Sequence, residues 1–335
     1  MRVAIVGEYL FDSLEWHLCD SFRHLGHEAE PFGQFSVQPT VKKSQFWLSH
    51  FVAPFEVRLN LRLARRVIDY KPDLVVVVTR NIHPSAIAFL KKALSGRPVV
   101  QYNPDALTNM QRQQIIASDF DFYFTKEPYI AATFRDKMGL NAHYLPEAFN
   151  PRINNRPDVP RPDAEQATDV DVLMYGSLYA YRVRMAERLL QAGIKLCVYG
   201  TGSHYPSAAV NAAFRGRLLL GDEKNRMLYG AKIVFNNFHY AEVTSANQKY
   251  FEINGTGAFQ LSDYKPTLDE YSGVPTDKVT FATIDDAIDR IRYYLDQPAE
   301  RHELADQQHR HFQQHHTFDK RVQAILQIIG GESAR

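Results

Sequence analysis

The run Asp73-Leu74-Val75-Val76-Val77-Val78 is apolar at five consecutive positions. A strand that shows one face to water alternates polar with apolar residues. A run with no alternation is covered on both faces, as in a parallel sheet lying between helices. Upstream, Arg2–Val6 reads as a second buried strand ending at Gly7, followed by an amphipathic helix from about Leu14 to Leu25 that Gly26 stops, and by a strand over Glu28–Phe32. Downstream come a helix at 85–94, a strand at Pro98–Tyr102, a helix at 108–117 and a strand at Asp121–Phe124. This alternation predicts a doubly wound α/β domain over about residues 1–150.

The stretch Asn150–Pro162 holds four prolines and little apolar content, so a linker is expected over about 150–168. Alternation then restarts with strand Val170–Tyr175, helix 182–192, strand Ile194–Tyr199, helix 223–230 and strand Lys232–Asn236. An acidic helix at 285–297 and a long His-rich C-terminal helix close the chain. A second α/β domain is expected over about 165–310, with residues 311–335 a helix crossing back to the first. Two such domains facing each other would make a central cleft, a usual place for ligands. Open α/β sheets bind beyond the carboxyl ends of their strands, which singles out Gly7-Glu8, Arg80–His83, Asn103–Asp105, Gly176–Arg182, Gly200–His204 and Asn236–His239.

Composition narrows the function. The 335 residues are 45% hydrophobic and 23% charged, with 39 Lys and Arg against 38 Asp and Glu. That near-neutral balance argues against a large phosphate-neutralising face, so no nucleic acid is expected as a partner. Cys19 and Cys197, the two cysteines, sit in apolar periodic segments, which argues against a disulfide scaffold or a thiolate zinc site. The apolar run at the N-terminus is too short for a signal peptide or a membrane span, and a cytoplasmic protein is expected. A nicotinamide-binding fingerprint needs three glycines after its strand; Gly7-Glu8-Tyr9-Leu10 has one, and Glu8 would repel phosphate. No Walker loop or nucleophile elbow is present.

Asn247–Asp263 is the most informative segment. Tyr250, Phe251 and Ile253 predict a short buried helix ending at Gly255 or Gly257, then a strand at Ala258–Leu261. Glu252 lies among apolar neighbours and needs a partner. It is either salt-bridged within the fold or accepts hydrogen bonds from sugar hydroxyls.

The pattern Asn247-Gln248-Lys249-Tyr250-Phe251-Glu252, Gly257-Ala258, Ser262-Asp263-Tyr264 resembles the signature of CgeB-like glycosyltransferases, relatives of the retaining glycosyl transferases group 1. Gly176-Ser177 with Arg182, Lys232-Ile-Val-Phe-Asn236, Ile291–Leu295 with Pro298 and Arg301, and His316-Thr317 with Arg321 agree in order. In the first half, Tyr123–Thr125 and His143–Pro146 agree more loosely. The resemblance implies a GT-B fold, two Rossmann-like domains, and transfer of a sugar from a nucleotide-sugar donor to an acceptor. It implies that the first domain holds the acceptor, the second holds the donor, and the anomeric configuration is retained without a bound metal. Glu252 takes the ribose by this analogy, and backbone amides around Gly255–Ala258 cradle phosphates. Lys249 stands where the family has arginine, and Thr244 where the broader group has an acid.

By the same analogy Arg182 clamps the diphosphate; its other reading is a solvated arginine at a helix start, with Arg184 as a substitute clamp. Gly176, Ser177, Gly200, Thr201, Asn236 and Asn247 complete the expected donor site, with Gly200–His204 near the base or forming an ordinary surface turn. Asp105 and His83 are the candidate general bases, each with a reading as a helix cap, and Glu8 is a weaker candidate. Lys42, Lys43, Phe46, Trp47 and Leu48, with Arg58, Arg62, Arg65 and Arg66, suggest peripheral contact with an anionic membrane, or a helix with solvated arginines. His302, His309, His311, His315 and His316 read as a solvated helix face rather than a metal site. The alternatives to a transferase are a non-catalytic nucleotide- or sugar-binding protein of this fold and a nucleotide-sugar epimerase.

Overall fold

A computed structural model of the chain describes residues 1–33, 51–79, 81–105, 114–202, 205 and 207–333. The chain divides into two compact units, Met1–Pro146 with Phe318–Arg335, and Glu147–Thr317.

The first unit runs β1 (Arg2–Val6), α1 (Leu14–His24), β2 (Glu28–Phe32), α2 (Ala53–Tyr70), β3 (Leu74–Val77), α3 (Pro84–Ala93), β4 (Val99–Asn103), α4 (Gln114–Ala117), β5 (Phe122–Thr125), α5 (Pro128–Ala132) and β6 (Ala142–Tyr144). Its sheet is ordered β2-β1-β3-β4-β5-β6, and every pairing is parallel. All four residues of β3 are buried, as an apolar run without alternation requires. Val75 and Val77 pack with Ala4, Val6, Leu63, Val67, Ile87 and Leu90 in one core.

The second unit runs α6 (Arg161–Thr168), β7 (Val170–Tyr175), α7 (Ala180–Gln191), β8 (Leu196–Tyr199), α8 (Ala208–Ala213), α9 (Gly221–Gly230), β9 (Ala231–Asn236), α10 (Gln248–Thr256), β10 (Gln260–Asp263), α11 (Leu268–Tyr271), α12 (Thr276–Val279), β11 (Thr280–Phe281), α13 (Ile284–Asp296) and α14 (Pro298–His315). This sheet is ordered β11-β10-β9-β7-β8 and is again parallel. The chain then returns to the first unit as α15 (Phe318–Ser333), where the Phe318 ring stacks on His17 of α1 at 5.0 Å.

Each sheet has one point where successive connections leave in opposite directions. It lies between β1 and β3 in the first unit, and between β7 and β9 in the second. Crevices open beyond the carboxyl ends of the strands at such points.

Three expectations need correction. The proline-rich linker carries α6, because Pro162 falls in its first turn, where a missing N–H costs nothing. The final helix does not run unbroken from 311, since α14 ends at His315 and α15 begins at Phe318. The histidines are not all solvated: His315 is exposed, but His302 pairs with Glu165 at 2.8 Å, and His316, just beyond the helix, is buried among Phe251, Tyr271 and Phe312. Lys42, Lys43, Phe46, Trp47, Leu48, Arg80, most of the expected helix 108–117 and His204 lie outside the described residues. No described helix is long and apolar enough to cross a membrane.

Candidate functional site

Beyond the carboxyl end of β7 the chain turns through Gly176 and Ser177 into α7. Gly176 has φ +104°, a conformation that favours glycine. Alongside, Gly200 has φ +143°, and a Cβ there would collide with the Gly176 carbonyl oxygen. The two turns lie edge to edge, with the Gly176 amide donating to Tyr199 O at 2.9 Å and the Leu178 amide to Thr201 O at 3.3 Å. Close backbone approach therefore requires glycine at 200, and a positive φ favours it at 176.

Arg182 braces this turn. Its Nη1 donates to Tyr175 O at 3.0 Å and Ser177 O at 3.1 Å, and its Nε to Asn237 Oδ1 at 3.2 Å, just past β9. The side chain is buried, and burial lowers its pKa to about 10. The solvated-arginine reading is thus overturned: this guanidinium joins the ends of β7 and β9, and its Nη2 has no hydrogen-bond partner among the described residues. Arg184 is exposed and pairs with Glu187 at 3.3 Å.

Lys249, in the first turn of α10, reaches the same turn from the other side. A Cβ on Gly176 would fall on its ammonium and lie 3.3 Å from Arg182 Nη1. The ammonium also sits 5.6 Å from the centre of the Tyr175 ring, and no described residue forms a hydrogen bond or ion pair with it. Burial, reinforced by the Arg182 charge, pulls it down to about 7, against the opposing pull of Glu252 and Glu242. A half-buried cation held beside a second cation, with no anion in contact, is unfavourable until an anion arrives.

Two helices begin here: the Gly176–Ser177 turn leads into α7, and Lys249 stands in the first turn of α10. The N-terminus of α7 has Tyr179 at its cap position and no side-chain cap bond, so its first-turn N–H groups are available to a ligand. That of α10 is capped by Asn247, whose Oδ1 accepts from Tyr250 N and from Asn236 Nδ2 at 3.4 Å. Asn236 also donates to Gln260 Oε1 at 3.1 Å, binding β9 to β10. Asn236 and Asn247 thus hold the frame of the site.

Glu252 finds its partners within the unit. Lys224 Nζ lies 3.3 Å from Oε2, Gln248 Nε2 donates to Oε1 at 2.8 Å and the Tyr175 hydroxyl to Oε2 at 3.3 Å. This is the salt-bridged reading of the two left open. Gly257 corrects another expectation. It lies at the C-terminal end of α10 with φ +82°, and its carbonyl accepts from Arg161 Nη2 at 2.7 Å. That end of a helix repels phosphate. Gly255 is enclosed too, because a Cβ there would strike Phe149.

Two acids went unread as site residues. Glu242, buried in the loop after β9, accepts from Ser245 Oγ at 3.3 Å and favours the charged form of Lys249. Asp263 ends β10 and accepts from the Phe238 amide; burial raises its pKa to about 6. The signal for Asp263 was an acid at the carboxyl end of a strand. Glu242 had none, because its place depends on how an irregular loop folds.

In the first unit, His83 caps α3, with Nδ1 accepting from Ser85 N at 3.3 Å and lying 2.7 Å from Ser85 Oγ. Asp105 donates its amide to Asn103 Oδ1 at 3.2 Å and accepts from Asn103 Nδ2 through its carbonyl.

Comparisons with known proteins agree with this architecture. Residues 182–327 match the family described as glycosyl transferase-like. No curated protein sequence matches the chain. Among solved structures, the sucrose-phosphate synthase of Thermosynechococcus elongatus superposes with a TM-score of 0.69 at 10% identity, covering 99% of each chain. Anabaena HepE in complex with UDP-glucose gives 0.65 at 12% identity, covering 100% of each. The lipopolysaccharide outer core galactosyltransferase WaaB, in its apo form, gives 0.57 at 12% identity, covering 99% of this chain and 100% of that one. The fold is GT-B, two parallel-sheet α/β domains. Fold and matched segment together define the class: a glycosyltransferase.

Proposed function

We propose that this protein transfers a sugar from a nucleotide-sugar donor to a hydroxyl-bearing acceptor, with the donor's diphosphate lying over the Gly176–Ser177 turn of the second unit. One observation carries the reading. At the β7/β9 switch point the Gly176–Ser177 turn leads into the uncapped N-terminus of α7, and the Lys249 ammonium lies against Gly176 with no hydrogen bond or ion pair from a described residue. Amides at a helix N-terminus and a half-buried cation suit a diphosphate.

Lys249 contacts the diphosphate, and Arg182, buried behind the turn, adds its field and keeps the turn in shape. When the bond from the sugar's anomeric carbon to the diphosphate oxygen breaks, negative charge grows on the departing nucleotide. Fixed positive charge in a water-poor site stabilises that charge without reorganising. The acceptor oxygen bonds to the anomeric carbon and its proton passes to a diphosphate oxygen, so configuration is retained and neither a metal nor a protein base is required. Asp263 and Glu242, beside the cations, suit the hydroxyls of the donor sugar.

HepE in its complex holds UDP-glucose, which makes UDP and UDP-glucose the first probes. Calorimetry should show one UDP per chain, with binding at least tenfold weaker in Lys249→Met. UDP-sugars offered with a panel of glycan and lipid-linked acceptors should release UDP only when an acceptor is present. Unchanged UDP affinity in Lys249→Met removes the site. Tight binding without any turnover would make the protein a binder of nucleotide-sugars, and UDP release without acceptor would make it an epimerase-like hydrolase.

A further inference from the structure

The two units share a parallel α/β plan but differ in charge where it matters. In the first unit, the place that corresponds to the diphosphate site is the loop from β1 to α1, at the β1/β3 switch point. That place is already filled. The carboxylate of Glu15, in the first turn of α1, folds back beneath the loop and accepts from the Glu8 amide at 3.2 Å. A Cβ on Gly7 would strike Glu15 Oε1 and lie 2.7 Å from its Cγ. Ser13 caps the helix, accepting from Trp16 N at 3.3 Å, and its hydroxyl, with the backbone of Glu15 and Glu8, favours the charged carboxylate.

These are the elements that would hold a phosphate: loop amides, a helix N-terminus, a hydroxyl and a glycine with no room for a side chain. Here the anion is part of the chain. Burial and the neighbouring Glu8 charge push the Glu15 carboxyl up, against those hydrogen bonds. A second anion brought to the same place would meet Glu15 and Glu8 together.

We propose that Glu15 is the resident anion of the first unit's switch-point crevice, so that the acceptor held there presents no phosphate to it, only a neutral hydroxyl-bearing group. This rests on the reading that the first unit takes the acceptor, and it narrows the acceptor class to neutral glycans or polyols at that point. A phosphorylated sugar is excluded with its phosphate at that loop.

The test follows the backbone amide signals of Gly7, Glu8 and Glu15 by NMR, with UDP saturating the second unit. The wild-type protein is titrated with inorganic phosphate, glucose and glucose 6-phosphate. Phosphate should leave the three signals in place, and glucose 6-phosphate should shift them no more than glucose does. In Glu15→Ser, which empties the cradle, phosphate should shift the Gly7 and Glu8 signals with millimolar affinity. Phosphate-dependent shifts in the wild type, or tighter binding of glucose 6-phosphate than of glucose, would overturn the proposal. So would a folded Glu15→Ser that ignores phosphate. The wild-type titrations stand alone if Glu15→Ser fails to fold. These signals lie in the first unit, so failure of the donor site shows separately, as loss of UDP binding.

Discussion

Lys249 and Gly176 claim the same point in space. A Cβ on Gly176 would fall on the Lys249 ammonium, at a residue whose φ is +104°. Gly176→Ala should therefore act twice, straining the backbone by about 1–3 kcal/mol and pushing the cation off the turn. UDP affinity should fall at least tenfold, about 1.4 kcal/mol. Gly216 is the matched control, since it has φ +68° and nothing within 4 Å of an added Cβ. Gly216→Ala should lower the melting temperature and leave UDP affinity unchanged. Equal UDP losses in both variants would show backbone strain, not displacement of Lys249, to be the cause.

The Lys249 pKa of about 7 fixes the direction of a pH effect. A bound diphosphate favours the charged ammonium, so binding pulls a proton onto Lys249 wherever the free protein has lost it. UDP affinity should hold steady below about pH 7 and decline above it, after correction for ionisation of the nucleotide itself. Calorimetry at pH 8 in two buffers of different ionisation enthalpy should reveal proton uptake, absent in Lys249→Met. In the free protein the same group has a folded pKa below its unfolded value of about 10.4. Its penalty is complete below about pH 7 and disappears toward pH 10, so this contribution makes stability rise with pH.

The architecture was readable because each buried strand announces itself. Leu74–Val77 is apolar throughout, and Val172, Met174, Val198, Ile233 and Phe235 form one core at positions a strand pattern predicts. The turns were legible for the same reason, since they are what strands end in. Side-chain roles were not. Glu252 reads identically whether it meets a ribose or Lys224, because Lys224 lies 28 positions away and only α9 packing brings it to 3.3 Å. Gly257 was given to phosphate, yet a C-terminal glycine with positive φ ends a helix. Glu15 escaped notice since its meaning depends on a fold-back onto Gly7. Burial and chain reversal carry that information, and neither has a short-range signature.

The Glu252–Lys224 pair carries a prediction about stability. A ribose-binding acid could be removed with the fold left intact, whereas removing one member of a buried pair leaves the other charge uncompensated. Glu252→Ala should cost about 3–5 kcal/mol, with two further donors, Gln248 and Tyr175, left without their acceptor. Thermal unfolding of the ligand-free variant reads this directly. Lys224→Met combined with Glu252→Gln should recover most of the loss, since no charge then remains buried. An unchanged melting temperature in Glu252→Ala, accompanied by lost UDP binding, would restore the ribose assignment.

Arg182 and Arg184 stand two residues apart on α7 and should behave oppositely. Arg182 is buried and satisfies three acceptors, Tyr175 O, Ser177 O and Asn237 Oδ1, in a geometry that only a planar fork reaches. Lysine keeps the charge but cannot make these bonds together. Buried carbonyls left without donors cost about 1–3 kcal/mol each, so Arg182→Lys should unfold at markedly lower temperature. The turn it braces carries Gly176, so UDP should also bind more weakly to whatever remains folded. Arg184 pairs with Glu187 on the surface, where such pairs contribute about 0–1 kcal/mol. Arg184→Ala should match the wild type in both assays. If Arg184→Ala lost UDP and Arg182→Lys kept it, the exposed arginine would be the phosphate ligand and the brace would be structural alone.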